Sequence, residues 1–269
     1  MYQHGILILN GDKRQKYLYE LLKKCGYHVF CEEQEYNTAQ IQVLAAPIPS
    51  TKLTWEDLTL YDSLKVVVGG VLPQSVISYG KEKKIKVYDY MKDSQLIAHN
   101  AVSTAEGAVA EAVMNQDCNI YGNKSIVIGY GNCGKEIVKL LSAMGSQVTV
   151  AVRREKVMRE ILAAGLNGVL IERLSEVLAE YPYIFNTVPA MIFPESLLNC
   201  ITPGSCLIDI ASNPGGVDYD AARRLGVTAR LSLGIPGRYA AKSAACAMKQ
   251  FMVDRIGDLN ENINGRRQT

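Results

Sequence analysis

The sequence predicts an α/β protein with two domains, each built on a mostly parallel sheet. The first observation is size: 269 residues, 48% of them hydrophobic, are enough for two cores. The second is that short apolar runs alternate with amphipathic helical patterns along the chain, which is typical of parallel α/β layers. The third is a glycine-rich segment that lies between an apolar run and a helical pattern in the second half.

The first predicted domain covers residues 1–100. Its predicted elements are strands at 6–9, 66–68 and 86–88 and a helix at 13–24, which begins after Gly11-Asp12. Pro73 suits the start of a further helix between the last two strands, because proline is tolerated at the first helical position.

The second predicted domain covers residues 101–256, and residues 257–269 are expected to form a mobile polar tail. A connecting helix is expected from Thr104 to Asn115, since Ser103 and Glu106 have the spacing of a capping box. The remaining predicted elements are strands at 125–128, 147–152, 183–186, 207–210 and 227–230 and helices at 134–144 and 239–256.

The glycine-rich segment is Gly129-Tyr130-Gly131-Asn132-Cys133-Gly134, with the spacing G-x-G-x-x-G. An apolar strand precedes it, an amphipathic helix follows, and a second strand ends about 20 residues later, as in the Rossmann dinucleotide-binding fingerprint. We expect Gly129 to form the tight turn, Gly131 to let the backbone approach a pyrophosphate, and Gly134 to let helix and strand pack closely. An ordinary glycine-rich turn is the alternative.

Arg153 and Arg154 follow the second strand of this domain, where an NAD site usually has Asp or Glu. A guanidinium can pair with a 2′-phosphate in a forked geometry, so the sequence favours NADP over NAD. The neighbouring Glu155 leaves NAD open, and two solvated surface arginines are the plainer interpretation. Enzymes that bind S-adenosylmethionine also use a glycine-rich first turn, but usually with an acidic residue at this place.

Further ligand contacts are expected outside the carboxyl ends of the strands, where open α/β sheets bind ligands. The cofactor-binding candidates in these loops are Thr187, Val188, Pro189 and Ala211. The substrate-binding candidates are Ser103, Thr104, Glu106, Gly234, Pro236, Arg238, Lys242 and Ser243. Ordinary turn chemistry explains any single one of these residues better than binding does, whereas the set favours a binding site.

Two residues are candidate acid–base groups. Lys242 falls in the first turn of the last helix, where it opposes the helix dipole and could bind a carboxylate or help proton transfer. His99 adjoins the connecting segment. A solvated lysine and a packed or surface histidine are the simpler alternatives, and the sequence contains no obvious acid–base pair.

Composition argues against several other classes of protein. A net charge of +2 does not indicate a surface for nucleic acid or a membrane. The seven cysteines are scattered and form no C-x-x-C pair, which argues against a disulfide framework and against structural zinc, and no metal site is predicted. No apolar stretch has the length needed to cross a bilayer, so we expect a soluble cytoplasmic protein.

Five segments occur in a fixed order: Ser103 to Gly107, the glycine-rich segment, Asn186 to Ala190, Asp209 to Gly216, and Gly234 to Gly237 followed by Lys242. In sequence and order they resemble the family of dipicolinate synthase A-subunits. Asn10 to Arg14 is similar to that family's opening Gly-Asp-x-Arg turn. The resemblance spans nearly the whole chain apart from the tail.

The resemblance implies two α/β domains with a cleft, similar to 2-hydroxyacid dehydrogenases. It implies the last step of dipicolinate formation in sporulating bacteria, an NADP-dependent dehydration and oxidation of a hydroxylated tetrahydrodipicolinate from the lysine pathway. The substrate would be a small dicarboxylate, and the B-subunit of dipicolinate synthase would be the partner; a homo-oligomer is also expected.

Two positions depart from the family's pattern, since Ser103 and Ala241 stand where it usually has proline. These departures leave open the interpretation that the chain is a divergent member of the family with another substrate. One alternative is another NADP-dependent dehydrogenase of a hydroxy or keto acid, although no histidine follows His99 where such enzymes usually have a catalytic one. The other is a non-catalytic scaffold protein that binds nucleotide.

Overall fold

The structure is a computed structural model that describes residues 5–264, with side chains described through Gly257. Its strands are β1 (Gly5–Ile8), β2 (His28–Cys31), β3 (Ile41–Ala45), β4 (Val66–Gly69), β5 (Lys86–Asp89), β6 (Lys124–Ile128), β7 (Gln147–Val152), β8 (Asn167–Leu170), β9 (Tyr183–Asn186), β10 (Cys206–Asp209) and β11 (Thr228–Leu231). Its helices are α1 (Lys13–Lys24), α2 (Trp55–Leu58), α3 (Gln74–Glu82), α4 (Ser94–Met114), α5 (Asn132–Ala143), α6 (Glu155–Ala163), α7 (Leu174–Val177), α8 (Glu195–Leu198), α9 (Tyr219–Arg224), α10 (Ile235–Tyr239) and α11 (Ala241–Asn264).

These elements form two compact units. The first unit comprises the described residues up to Asn100 and those from Gly237 onward, and the second is Ala101–Pro236. Each unit has one parallel sheet with helices, which confirms the predicted α/β fold class.

The first unit has a five-stranded sheet in the order β2-β1-β3-β4-β5, and its neighbouring strands pair in parallel. Asp12 caps α1, because its side chain accepts a hydrogen bond from the backbone N–H of Arg14. Leu18 and Leu22 of α1 are fully buried in a core that also contains Met252 and Ile256 of α11.

The position of α11 corrects the sequence-based division of the chain. The predicted division placed the last helix in the second domain and left open that it packs back on the first domain or across the cleft, and α11 groups with the first unit. The physical reason is that Ala245, Met248, Met252 and Ile256 recur at helical spacing and bury an apolar face in the core shared with α1. The predicted tail also begins too early, since α11 continues to Asn264; residues 265–269 lie outside the described residues.

The second unit has a six-stranded parallel sheet in the order β11-β10-β9-β6-β7-β8. Chain connections leave β6 toward one edge of the sheet and β9 toward the other, so the topological switch point lies between these two strands. In doubly wound sheets this is where a crevice forms at the carboxyl ends and where dinucleotides bind.

The connecting helix differs from the prediction. α4 begins at Ser94, so Ser103 lies inside the helix and cannot form the predicted capping box with Glu106. The start of α4 is stabilised instead by Asp93, whose side chain accepts a hydrogen bond of 2.9 Å from the backbone N–H of Leu96.

Candidate functional site

The glycine-rich segment forms the turn between β6 and α5. Gly129 has φ +98°, and a Cβ there would lie 2.3 Å from Oγ1 of Thr187, so this position needs glycine for two separate reasons. A Cβ at Gly134 would lie 2.4 Å from the carbonyl oxygen of Gly129. These two glycines therefore allow the close packing of strand, turn and helix.

Gly131 has different surroundings. It is the N-cap residue of α5, and a Cβ built on it would meet no described atom within 4 Å. As a glycine it supplies no capping side chain, so the first amides of this helix have no side-chain acceptor at the N-cap. Open space in front of such a helix N-terminus suits a phosphate group, since its amides and dipole favour negative charge. These residues fit a dinucleotide.

The loop after β9 adjoins the glycine turn across the switch point. Thr187 donates to the carbonyl oxygen of Ile128 from both its backbone N–H and its hydroxyl, each at 2.9 Å. The side chain of Val188 would lie 3.0 Å from a Cβ at Gly129. The structure thus brings Thr187 and Val188 together with the turn, and exposed Pro189 follows them.

Arg153 and Arg154 directly follow β7, the strand beside β6. Ala151 pairs with Ile128 and accepts a hydrogen bond from Gly129, so the end of β7 is tied to the turn. Both arginines are exposed, and neither guanidinium has a hydrogen bond or ion pair with another described residue. Two positive side chains therefore stand at the place where an adenosine ribose lies in Rossmann domains.

A buried carboxylate, Asp209, organises the loop after β10; the sequence analysis named it only as the start of a segment and gave it no role. Asp209 is fully buried and accepts four hydrogen bonds. The donors are Nδ2 of Asn186 (2.9 Å), the backbone N–H of Ala211 (2.9 Å), the backbone N–H of Gly216 (2.6 Å) and the hydroxyl of Tyr219 (2.7 Å). Ala211, a predicted cofactor residue, is thus fixed by Asp209 through its backbone.

Tyr219 and Asn186 complete this network. Burial, followed by the hydrogen bond to Asp209, raises the pKa of Tyr219, so its hydroxyl keeps the proton that it donates. Asn186 also accepts a hydrogen bond of 3.1 Å from the backbone N–H of Val188. Asp209 and Asn186 therefore hold the loops after two neighbouring strands in fixed positions.

The substrate candidates on α4 separate into two groups. Thr104 hydrogen-bonds the Cys133 thiol inside the glycine turn; burial raises the pKa of that thiol, and the Thr104 contact partly opposes the rise. Ser103 is buried. Glu106 instead lines a cavity of about 190 Å³ with Glu136 and Lys139, on a different face of the helix.

The remaining predicted substrate residues lie between the end of β11 and the first turn of α11. Gly234, with φ +64°, and Pro236 lead from β11 into α10. In the first unit, Arg238, Lys242 and Ser243 line a cavity of about 270 Å³. Lys13 and Tyr17 of α1, which the sequence analysis did not select, also line it, and none of the described residues that line it is acidic.

His99 lies in another place. It lines a cavity of about 440 Å³ with Asp93, Asp254 and Arg255, and the described lining of this cavity includes none of the other predicted site residues. Among the side chains that the structure describes, in residues 5–257, no group of three or more His, Cys, Asp or Glu is arranged to hold a metal ion. None of the described helices combines the length and apolar character that a bilayer span requires.

Comparison with known proteins adds to this geometry. Residues 124–213 match the family model described as NADP oxidoreductase coenzyme F420-dependent. Over 186 residues the chain is 30% identical to the A-subunit of dipicolinate synthase from Bacillus subtilis (strain 168). This chain is a relative of the dipicolinate synthase A-subunit.

The match covers 69% of this chain and 62% of the B. subtilis relative, less than two thirds of that protein's length. The crystal structure of the B. subtilis dipicolinate synthase A-subunit superposes with a TM-score of 0.84, at 22% identity, over 97% of this chain and 98% of that one. Apo D-lactate dehydrogenase from Escherichia coli gives a TM-score of 0.67 at 14% identity over 96% and 97% of the two chains. At these identities the superpositions show the fold.

The predicted resemblance to the dipicolinate synthase A-subunit is therefore confirmed. The oxidoreductase-type Rossmann fold of the second unit is confirmed as well. A fold of this type implies that the chain binds a pyridine nucleotide, NAD or NADP.

Proposed function

We propose that this chain acts as a dipicolinate synthase A-subunit, which dehydrates and oxidises a hydroxylated tetrahydrodipicolinate with NADP as the hydride acceptor. The observation that carries the proposal is the 30% identity to the B. subtilis relative. It is supported by the glycine turn, whose open face at Gly131 suits a pyrophosphate.

The choice of NADP rests on Arg153 and Arg154. Both are exposed at the end of β7, and neither is neutralised by a described acidic partner. A forked guanidinium matches the oxygens of a 2′-phosphate, and the interaction is charge-assisted. Glu155, in the first turn of α6, is the group that would favour the ribose hydroxyl of NAD instead.

The substrate class rests on positive charge. Dipicolinate and its precursor carry two carboxylates, which need cationic or hydroxyl donors. Arg238, Lys242 and Ser243 supply such donors to one cavity whose described lining has no acidic residue. Thr104, which contacts the glycine turn through Cys133, is a further hydroxyl donor.

The reaction consists of loss of water and removal of one hydride and one proton from the ring, which leaves an aromatic pyridine dicarboxylate. A bound nicotinamide supplies the acceptor for the hydride. The chain's own residues orient the reactants: the glycine turn fixes the cofactor, and Lys242 binds a carboxylate or helps proton transfer. We assign this role to Lys242 rather than His99, because only Lys242 shares a cavity with other anion-binding candidates.

The relative is named as one of two or more subunits, which supports a partner chain for the present protein. We propose that this partner is the B-subunit of dipicolinate synthase and that the two chains work in the cytoplasm of a sporulating cell. A homo-oligomer of the present chain is part of the same proposal.

The test is a reconstituted assay. The purified chain is mixed with the B-subunit, the hydroxylated precursor and NADP, and dipicolinate is followed by ultraviolet absorbance. We expect dipicolinate to form with the wild type and to be lost with Gly131→Val, which fills the phosphate-binding space. Equal yield from both proteins would instead indicate a scaffold role, and oxidation of simple hydroxy acids alone would indicate a general dehydrogenase.

A further inference from the structure

Gln15 is a buried amide without a partner among the described residues. It lies in the first turn of α1, and only 5% of its surface is exposed. Neither Nε2 nor Oε1 has a hydrogen-bond partner within the described part of the chain. Buried amides are almost always hydrogen-bonded in folded proteins, so this side chain needs an explanation.

The location of Gln15 is where a ligand would bind in this type of sheet. In the order β2-β1-β3-β4-β5, the switch point lies between β1 and β3. The loops after these two strands supply Gly11 and Pro47. A Cβ at Gly11 would lie 2.8 Å from Oε1 of Gln15 and 2.7 Å from Cβ of Pro47. Gly11 is exposed, so the carboxamide lies directly beneath the surface at this switch point.

The neighbouring Arg14 already makes hydrogen bonds within the protein. Its guanidinium forms a two-point ion pair with Asp12, with Nε at 2.9 Å from Oδ1 and Nη2 at 2.6 Å from Oδ2. Nη2 also donates to the carbonyl oxygen of Ile48 at 2.6 Å. Arg14 therefore braces the loop after β3 against the start of α1, and Gln15 is the neighbour whose hydrogen-bonding capacity is unused by the described residues.

A carboxamide recognises a ligand that has both an acceptor and a donor, because it contributes two N–H bonds and a carbonyl oxygen. We propose that Gln15 is a substrate-recognition residue for a cyclic dicarboxylate. Nε2 donates to a carboxylate oxygen or ring nitrogen, and Oε1 accepts from the hydroxyl or ring N–H of the hydroxylated precursor. This inference rests on the proposed function and adds to it a contact in the first unit.

The experiment measures binding of pyridine-2,6-dicarboxylate and of NADPH by calorimetry, with thermal unfolding alongside. Gln15→Met keeps the length of the side chain and removes its polar atoms. We expect it to weaken pyridine-2,6-dicarboxylate binding roughly tenfold, to leave NADPH affinity unchanged and to leave the melting temperature equal or higher. Gln15→Glu, which replaces the donor with a negative charge, should weaken the dicarboxylate further.

Tyr90→Phe is the matched control. The Tyr90 hydroxyl is also buried and has no partner among the described residues, but its ring lies in the apolar core with Phe251, and this variant should bind the dicarboxylate as the wild type does. Equal dicarboxylate affinity in wild type and Gln15→Met, with a lower melting temperature, would overturn the inference and leave the proposed function standing. No dicarboxylate binding to the wild type would overturn both.

Discussion

At the scale of single residues, two glycines of the same turn have opposite surroundings, and this separates folding from binding. Gly131→Ala places its methyl group in open space, so we expect a stability change of about 1 kcal/mol or less and a clear loss of nucleotide affinity. In Gly129→Ala the new methyl group clashes with Thr187, and alanine must adopt a positive φ. This variant should therefore destabilise the fold by about 2 kcal/mol or more. Urea unfolding and nucleotide titration of both variants check this; a Gly131→Ala protein that binds normally would contradict it.

The cofactor preference is also a property of single side chains. Arg153→Asp replaces a phosphate-binding group with one that accepts from a ribose hydroxyl. We expect NADPH to bind the wild type at least about tenfold more tightly than NADH, and the variant to lose that preference. Arg159→Asp, the same charge change at an exposed site within α6, is the control and should retain it. Equal affinities for the two nucleotides in the wild type would rule out the arginine interpretation.

Single residues also show which parts of the candidate site could be predicted from the sequence and which could not. The roles of Gly129 and Gly134 could be predicted, because the spacing and the flanking elements are local in sequence. Asp209 could not, since its donors come from Asn186, Gly216 and Tyr219, which only the folded sheet brings together. The available signal was an acidic residue at the end of an apolar run, followed by a loop rich in Asn, Pro and Gly.

At the scale of elements, the start of α4 shows how a correct local pattern can be overruled. Ser103 and Glu106 have capping-box spacing, but the helix already begins at Ser94, where Asp93 caps it. Asp93→Ala should therefore cost about 1 kcal/mol of stability, and Ser103→Ala, which removes no cap, should cost less. Chemical denaturation of the two variants measures the difference, and the reverse ranking would contradict this assignment of the cap.

The first turn of α11 carries the proposed substrate contact. Lys242→Ala should raise KM for the hydroxylated precursor about tenfold, because Lys242 lines the cavity with Arg238 and Ser243. It should leave NADPH affinity unchanged. Lys249→Ala removes a lysine further along the same helix and outside that cavity, and it should behave as the wild type. Unchanged kinetics in Lys242→Ala would end this role for the residue.

The strands that the sequence analysis missed have a physical explanation. β2 and β8 lie at sheet edges and are only partly buried, so they lack the continuous apolar run that marks β6 or β9. β3 is apolar, but a short helical turn at residues 38–40 leads directly into it. The glycine turn and most strands were predictable from the local pattern, including the edge strands β5 and β11, whereas β2, β3 and β8 and the start of α4 were not.

At the scale of the whole molecule, the chain returns to its first unit through α11. The sequence identified the helix but not the core that receives it, because helical periodicity shows that a face is buried and not what covers it. The residues that decide the matter, Leu18 and Leu22 on α1 and Met252 and Ile256 on α11, are far apart in sequence. Long-range packing of this kind required the structure.

Global stability should fall at alkaline pH, in part through Cys206. Burial raises the pKa of its thiol to about 11 from an ordinary value of 9.0. The folded state binds this proton more tightly than the unfolded state, so the contribution is present below about pH 9 and is lost as pH rises through about 11. When the pH is raised from about 7.5 to about 10.5, the free energy of unfolding of Cys206→Ala should fall by about 2 kcal/mol less than that of the wild type. Parallel pH slopes in urea unfolding would contradict this.

The most direct test of the whole account is calorimetric titration of the wild-type protein with NADPH and NADH. We expect saturable binding of one nucleotide per chain, because the amides at the start of α5 face open space in front of Gly131, and tighter binding of NADPH, because Arg153 and Arg154 follow β7. A protein that is folded and binds neither nucleotide would contradict it.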